Sequence, residues 1–126
     1  MACKAREMSY APYSHFHVGA ALLAKNGTVY TGCNVENAAY TPTNCAERTA
    51  IFKAVSEGVR EFSAIAIVGG GEDGLSPSCP PCGVCRQVLA EFCTGDFPIL
   101  TGTPDNIQKT TLSDLLPLAF GPNHLN

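Results

Sequence analysis

Asn44-Cys45-Ala46-Glu47-Arg48-Thr49-Ala50-Ile51-Phe52-Lys53-Ala54-Val55-Ser56-Glu57-Gly58 carries Ala46, Ala50, Ile51, Ala54 and Val55 at the spacing of one helix face. It ends on a glycine suited to the left-handed stop of a helix. Thr41-Pro42-Thr43-Asn44 before it reads as a loop, so Cys45 is expected at the helix N-terminus. A second helix is predicted with Pro81 in its first turn and Val84, Val88, Leu89 and Phe92 as its stripe, ending before Gly95. It puts Cys82 and Cys85 on one face at i, i+3. Between the helices, residues 63–68 (Ser-Ala-Ile-Ala-Ile-Val) are short, apolar and β-forming, the pattern of a buried strand. Residues 69–81 then read as a loop, with Gly69-Gly70-Gly71 as a flexible connection.

The flanks complete the pattern. Ala2, Ala5 and Met8 or Ser9 predict a short N-terminal helix that Pro12 stops. Residues 16–24 and 29–35 are strand-like runs around Lys25-Asn26-Gly27-Thr28, where Asn-Gly predicts a type I′ turn. Asn34 and Glu36 fall at the exit of the second run. Residues 97–101 and 107–111 predict further strands around Thr103-Pro104-Asp105-Asn106, and Ser113 a capped last helical turn that Pro117 ends. The order β-β-α-β-α-β predicts one α/β domain over residues 1–126, with both cysteine-bearing helices crossing over one side of a sheet.

Composition narrows the function classes. Hydrophobic residues are 45% and charged residues 15%, which leaves little solvated surface and points to apolar surface covered by sister subunits. The net charge is -3 and the eight Lys and Arg residues are scattered, so a groove for DNA or RNA is not expected. Seven cysteines is an odd number and no apolar signal region follows Met1, so reduced thiols in a cytoplasmic protein are expected. No run of about 18 apolar residues is present, so no membrane-spanning helix is expected.

Cys45, Cys82 and Cys85 supply three thiolate ligands, the number an enzymatic zinc takes from protein before leaving its fourth position to water. With both helix N-termini converging, two positive dipole ends face the sulfurs. Three thiolates on Zn²⁺ leave a formal charge of -1, which Arg48 is placed to offset as a donor to thiolate sulfur. Glu47, two residues from Cys45, reaches the open position only if the ion lies over the helix tip, where it can act as both general base and general acid. The plain alternative is Asn44-x-x-Glu47 as a capping box. Cys82-x-x-Cys85 alone also fits a redox pair or half of a structural zinc site. Cys79 is a possible fourth ligand, which would close the site and end catalysis. Cys33 and Cys93 read as packing residues, and Cys3 lies near a terminus. His15, His17 and His124 read as surface or packing residues rather than ligands.

Longer stretches then become recognisable. Tyr10-Ala11-Pro12-Tyr13-Ser14-His15-Phe16, Val18-Gly19-Ala20-Ala21-Leu22, Gly32-Cys33-Asn34-Val35-Glu36-Asn37-Ala38, Cys45-Ala46-Glu47-Arg48-Thr49-Ala50, Pro81-Cys82-Gly83-Val84-Cys85-Arg86-Gln87-Val88 and Leu115-Leu116-Pro117 resemble the small homotetrameric cytidine deaminases acting on free nucleosides. The zinc-ligand and glutamate pattern is shared by zinc deaminases generally. The resemblance implies a three-layer α/β/α fold with a mixed sheet of about five strands, one zinc per subunit and a homotetramer. It implies hydrolysis of cytidine or deoxycytidine to the uridine nucleoside and ammonia, a pyrimidine-salvage reaction. Glu47 would move protons to ring N3 and the departing amine as zinc-activated water attacks C4. Asn34 and Glu36 would grip the ribose hydroxyls, Phe16 would pack on the base and the Ala46 backbone would hydrogen-bond it. Tyr40 and Phe120 would lie near subunit contacts and help complete a neighbouring pocket. Two other readings stay open: a deaminase of a cytosine-containing antibiotic, and a non-catalytic zinc-stabilised interaction domain closed by Cys79.

Overall fold

In the computed structural model, which describes residues 1–125, β1 (His17–Ala24) and β2 (Val29–Cys33) pair antiparallel, with Gly19 opposite Cys33 and Ala20 opposite Gly32. Opposed residues of such a pair face the same side, so Gly19 and Gly32 face opposite sides. Each seats a helix at close range. A Cβ on Gly19 would stand 2.1 Å from the carbonyl oxygen of Ala2 in α1 (Ala2–Arg6), and one on Gly32 2.4 Å from that of Ala46 in α2 (Ala46–Ser56). Helices therefore cover both faces of the sheet.

The sheet has the order β2-β1-β3-β4-β5, with β3 (Phe62–Gly70), β4 (Pro98–Thr103) and β5 (Asn106–Thr111) completing it. β1 runs antiparallel to β3, β3 parallel to β4, and β4 antiparallel to β5. This is a mixed five-stranded sheet in an α/β/α arrangement, as expected. α3 (Gly83–Phe92) makes the crossover between the parallel pair, a connection usually right-handed. Ala20 and Leu22, opposite Ile67 and Ile65, face the same side as Gly32 and meet Ala50, Ile51 and Ala54 of α2, Leu89 of α3 and Ile99 of β4. Full burial of each Leu or Ile here contributes about 1.5–3 kcal/mol, so this core fixes where both helices begin.

Several local expectations change. Only Gly27 has positive φ in the β1–β2 turn (+90°), with its N–H on the Ala24 carbonyl (3.0 Å) and the Ala24 N–H on that of Thr28 (2.9 Å). The connection is a type I turn closed by a left-handed glycine, because the Asn26 side chain accepts from the Thr28 N–H (2.9 Å) and Asn26 stays at negative φ. The N-terminal helix stops at Arg6. β3 runs on through Gly69 and Gly70, which pair with Val18 and His17. A Cβ there would meet the Cys79 sulfur at 2.5 Å or the Gly74 carbonyl at 2.0 Å, so these glycines are packed strand rather than a flexible connection. Pro81 lies one residue outside α3, whose N-cap is Cys82, and its carbonyl accepts from Arg86 Nε (2.7 Å). The last helix, α4 (Leu112–Leu115), is capped by Thr111, whose hydroxyl accepts from the Asp114 N–H (3.4 Å). The Ser113 N–H instead binds the Gly95 carbonyl (2.8 Å).

Candidate active site

Cys45 and Cys82 are the N-caps of α2 and α3, and Cys85 is the third residue of α3. The core that seats the two helices brings these starts together. The three sulfurs lie within 4.8 Å of one another, and those of Cys45 and Cys82 are 3.6 Å apart. Thiolates about 2.3 Å from one tetrahedral ion stand about 3.8 Å apart, so the donors fit zinc in kind and spacing. Cys85 is fully buried, Cys45 half-buried and Cys82 exposed, which leaves the cluster approachable from one side. Arg48 Nη2 donates to the Cys45 sulfur at 3.2 Å. Its Nε is buried with no partner among the described residues, a spare donor beside a centre of net negative charge.

Hydrogen bonding from Cys85, then from Arg48 and Cys82, outweighs burial and lowers the Cys45 thiol to about 5. Cys85, the donor to Cys45 and buried, is pushed far up. Arg48 loses some preference for charge through burial, but its hydrogen bonds to Cys45 and Cys85 raise it overall.

Glu47 is only 3% exposed, in the first turn of α2. Since Cys45 is the N-cap, the third helical residue is Arg48, and no side-chain cap forms; the Asn44 amide donates to Thr49 Oγ1 (3.2 Å) instead. The capping-box reading therefore does not hold. Burial, and after it the negative charge of Cys45, raises the Glu47 carboxyl above its ordinary range. A buried acid of this kind at a metal-ligand cluster suits proton transfer rather than solvation.

Asn34 is buried at the exit of β2, and its amide is fixed from two sides: Oδ1 accepts from the Val18 N–H (2.9 Å), and Nδ2 donates to the Phe16 carbonyl (2.8 Å). One amide hydrogen is left for a ligand. Glu36 accepts from the hydroxyl and N–H of Ser14 and from the N–H of Tyr13; these bonds, the Ser14 hydroxyl first, hold its carboxyl below the usual range. A carboxylate has about four acceptor positions, so one remains. The Phe16 ring is part-exposed, and both it and the Cys79 sulfur pack over Gly69. Ala46 is fully buried with its carbonyl directed at Gly32, so what it offers a ligand is the N–H at the start of α2. Tyr40, at 74% exposure, packs edge-on to Tyr13, while Phe120, at 56%, stacks on His124. Tyr40 lines a surface cavity with Glu36, Tyr13 and Ser14.

Cys79 is buried in the hydrophobic core and does not join the three-sulfur group. Burial, with the charges of Glu47 and Cys45, pushes its thiol up to about 11, which suits a packing residue better than a ligand. Cys79→Ser is expected to keep full zinc and turnover while lowering the thermal midpoint, since a buried hydroxyl without a partner costs about 1–3 kcal/mol. Metal analysis beside a deamination assay checks this; loss of zinc would restore the closed, structural reading. A further group stands beside Asn34 with no local signature in the sequence: His17 lies between Ser9 and Glu72. His15 lies in the loop before β1 at φ +57°, not on the strand that His17 begins, and nothing in their spacing reveals a glutamate 55 residues beyond His17.

Residues 1–101 match a family model described as the cytidine and deoxycytidylate deaminase zinc-binding region. A cytidine deaminase of Sporosarcina psychrophila is 58% identical over 124 residues, covering 98% of this chain and 88% of that protein. The crystal structure of a cytidine deaminase from Burkholderia pseudomallei superposes with a TM-score of 0.85 at 48% identity, covering 94% of this chain and 93% of that one. A blasticidin-S deaminase of Bacillus cereus is 32% identical over 120 residues, covering 92% of this chain and 84% of that protein.

Proposed function

The chain belongs to the zinc-dependent cytidine deaminases, and on that premise we propose how its own residues carry out the hydrolytic deamination of cytidine and deoxycytidine. The observation that carries the reading is the convergence of three cysteine sulfurs over two helix tips, with a buried glutamate in the first turn of one of them. Cys45, Cys82 and Cys85 would hold the zinc, which when bound would supply the Lewis acidity that makes water a nucleophile near neutral pH. Glu47 accepts one proton of the attacking water and passes it to ring N3, then takes the remaining proton from the hydroxyl formed on C4 and passes it to the amine. The water oxygen bonds to C4, the C4–N bond breaks, and ammonia leaves behind the carbonyl of a uracil ring. Arg48, donating to Cys45, draws charge from the thiolates and so limits how far they blunt the ion's acidity.

Recognition falls to groups already fixed in place. The Ala46 N–H, a free helix-terminal donor, faces an acceptor on the base, and the Phe16 ring covers an apolar face of it. The remaining N–H of Asn34 and the remaining acceptor of Glu36 take ribose hydroxyls. A carboxylate at that point repels a phosphate, which supports nucleosides over nucleotides as substrates. Cytidine should therefore exceed CMP in kcat/KM by at least about 100-fold, since loss of a charge-assisted contact and gain of repulsion each count about 1.5–3 kcal/mol. Glu36→Gln should narrow that ratio by raising KM for cytidine. Efficient turnover of CMP by the parent would contradict the assignment of Glu36.

We place the enzyme as a homotetramer with one zinc per subunit. The exposure of Tyr40 and Phe120, together with Val84, Phe52 and Leu118, supports this, because so many large apolar side chains on the outside of a small domain suit coverage by other subunits. No helix among the described residues is long and apolar enough to cross a membrane.

A further inference from the structure

Ser9 Oγ lies 2.5 Å from Asn34 Oδ1 and 3.0 Å from His17 Nδ1, and His17 Nε2 lies 2.9 Å from Glu72 Oε1. Counting hydrogens fixes the direction of every bond. The Val18 N–H and the Phe16 carbonyl set which end of the Asn34 amide is oxygen, so Ser9 must give its one hydrogen to Oδ1. Its oxygen can then only accept from His17, which requires a hydrogen on Nδ1. The Glu72 carboxylate accepts only, which requires a second hydrogen on Nε2. All the bonds coexist only when both ring nitrogens are protonated. If one proton leaves and Glu72 keeps the hydrogen on Nε2, Nδ1 becomes an acceptor and competes with Asn34 for the Ser9 hydrogen.

We propose that Glu72, His17 and Ser9 form a proton-dependent relay that positions Asn34 and so tunes how tightly the ribose is held. The relay rests on the reading of Asn34 as a ribose contact. Its outer end is held in place: Arg6 of α1 donates to the carbonyls of His17 (2.9 Å), Gly70 (3.0 Å) and Gly71 (2.7 Å), and so ties the loop bearing Glu72 to the start of β1. The charged and titratable groups around His17 are Glu72, His15, whose Nδ1 is 3.5 Å from the same Glu72 oxygen, and Arg6 on the backbone side. His17 is part-buried between them while Glu72 stands in solvent, so the relay leads from the surface to a buried amide. Ser9 and His17 are positioning residues; neither is placed on substrate.

The test measures KM and kcat for cytidine from about pH 5.5 to about 8.5, the window in which histidine titrates. It uses the zinc-loaded parent, Ser9→Ala, Ser9→Thr, His17→Gln and Asn34→Ala, with zinc content and thermal midpoint recorded for each. The parent KM should rise about 3- to 10-fold from acid to alkaline pH, the worth of one hydrogen bond. Ser9→Ala should hold the high KM at every pH with kcat little changed, His17→Gln should lose the pH dependence, and Ser9→Thr should restore it. A KM transition of parental size in His17→Gln, or a Ser9→Ala KM equal to that of the parent at acid pH, would overturn the relay. If Asn34→Ala raises KM at least about 10-fold while Ser9→Ala leaves it unchanged, the relay falls and the ribose reading stands. If Asn34→Ala leaves KM unchanged, both fall.

Discussion

Glu47→Gln is expected to give a folded protein with one zinc per chain that turns over cytidine about 10³-fold more slowly than the parent. Gln fills the same space in the first turn of α2, where the native side chain is 3% exposed, and it can still donate and accept hydrogen bonds. What it cannot do is take a proton from water and return it to N3 and the leaving amine. Substrate should still bind, so KM should change far less than kcat, the signature of an interaction used in the transition state. Steady-state kinetics at equal zinc content check this. A variant within about 10-fold of the parent kcat would remove Glu47 from the chemistry and leave its burial unexplained.

Cys85→Ser is expected to lose zinc, activity and much of the stability together. Cys85 is fully buried at the start of α3, and its sulfur belongs to the three-sulfur group. An alcohol oxygen is a poor zinc donor at neutral pH, and two thiolates leave the ion with too few protein ligands. Turnover should fall by at least about 10⁴-fold, because removal of the ion takes the activated water with it. Stability should fall as well. Metal binding to the folded site alone contributes free energy to folding, and the variant forfeits it together with the packing of a buried thiol. Zinc analysis, turnover and thermal unfolding of one preparation check the three losses. Full zinc with parental turnover would exclude Cys85 as a ligand.

Much of this site was legible in the sequence because its chemistry sits on regular elements. The stripe from Ala46 to Val55 and that from Val84 to Phe92 locate two helices, and the cysteines at their starts follow from the loops before them. The strands were legible through their apolar runs, with ends misplaced by one or two residues. The remainder depends on contacts between distant segments. That Pro81 lies outside α3 is tied to Arg86 reaching back to its carbonyl, and that Gly69 and Gly70 are strand depends on Cys79 and Gly74 packing over them. Cys79 could not be separated from the ligands by spacing, since Cys79-x-x-Cys82 and Cys82-x-x-Cys85 are equivalent on paper. Only the fold sends the first sulfur over Gly69 and the others to each other. The connection of Glu72 through His17 and Ser9 to Asn34 joins three separated segments and has no local signature.

The most direct test of the account follows the products of cytidine with the zinc-loaded protein, measuring the ultraviolet change, the nucleoside formed and the ammonia released in one reaction. The predicted result is one uridine and one ammonia for each cytidine consumed, with the reaction abolished by removal of zinc and recovered on its return. Protein carrying one zinc per chain that releases no ammonia from cytidine would contradict it.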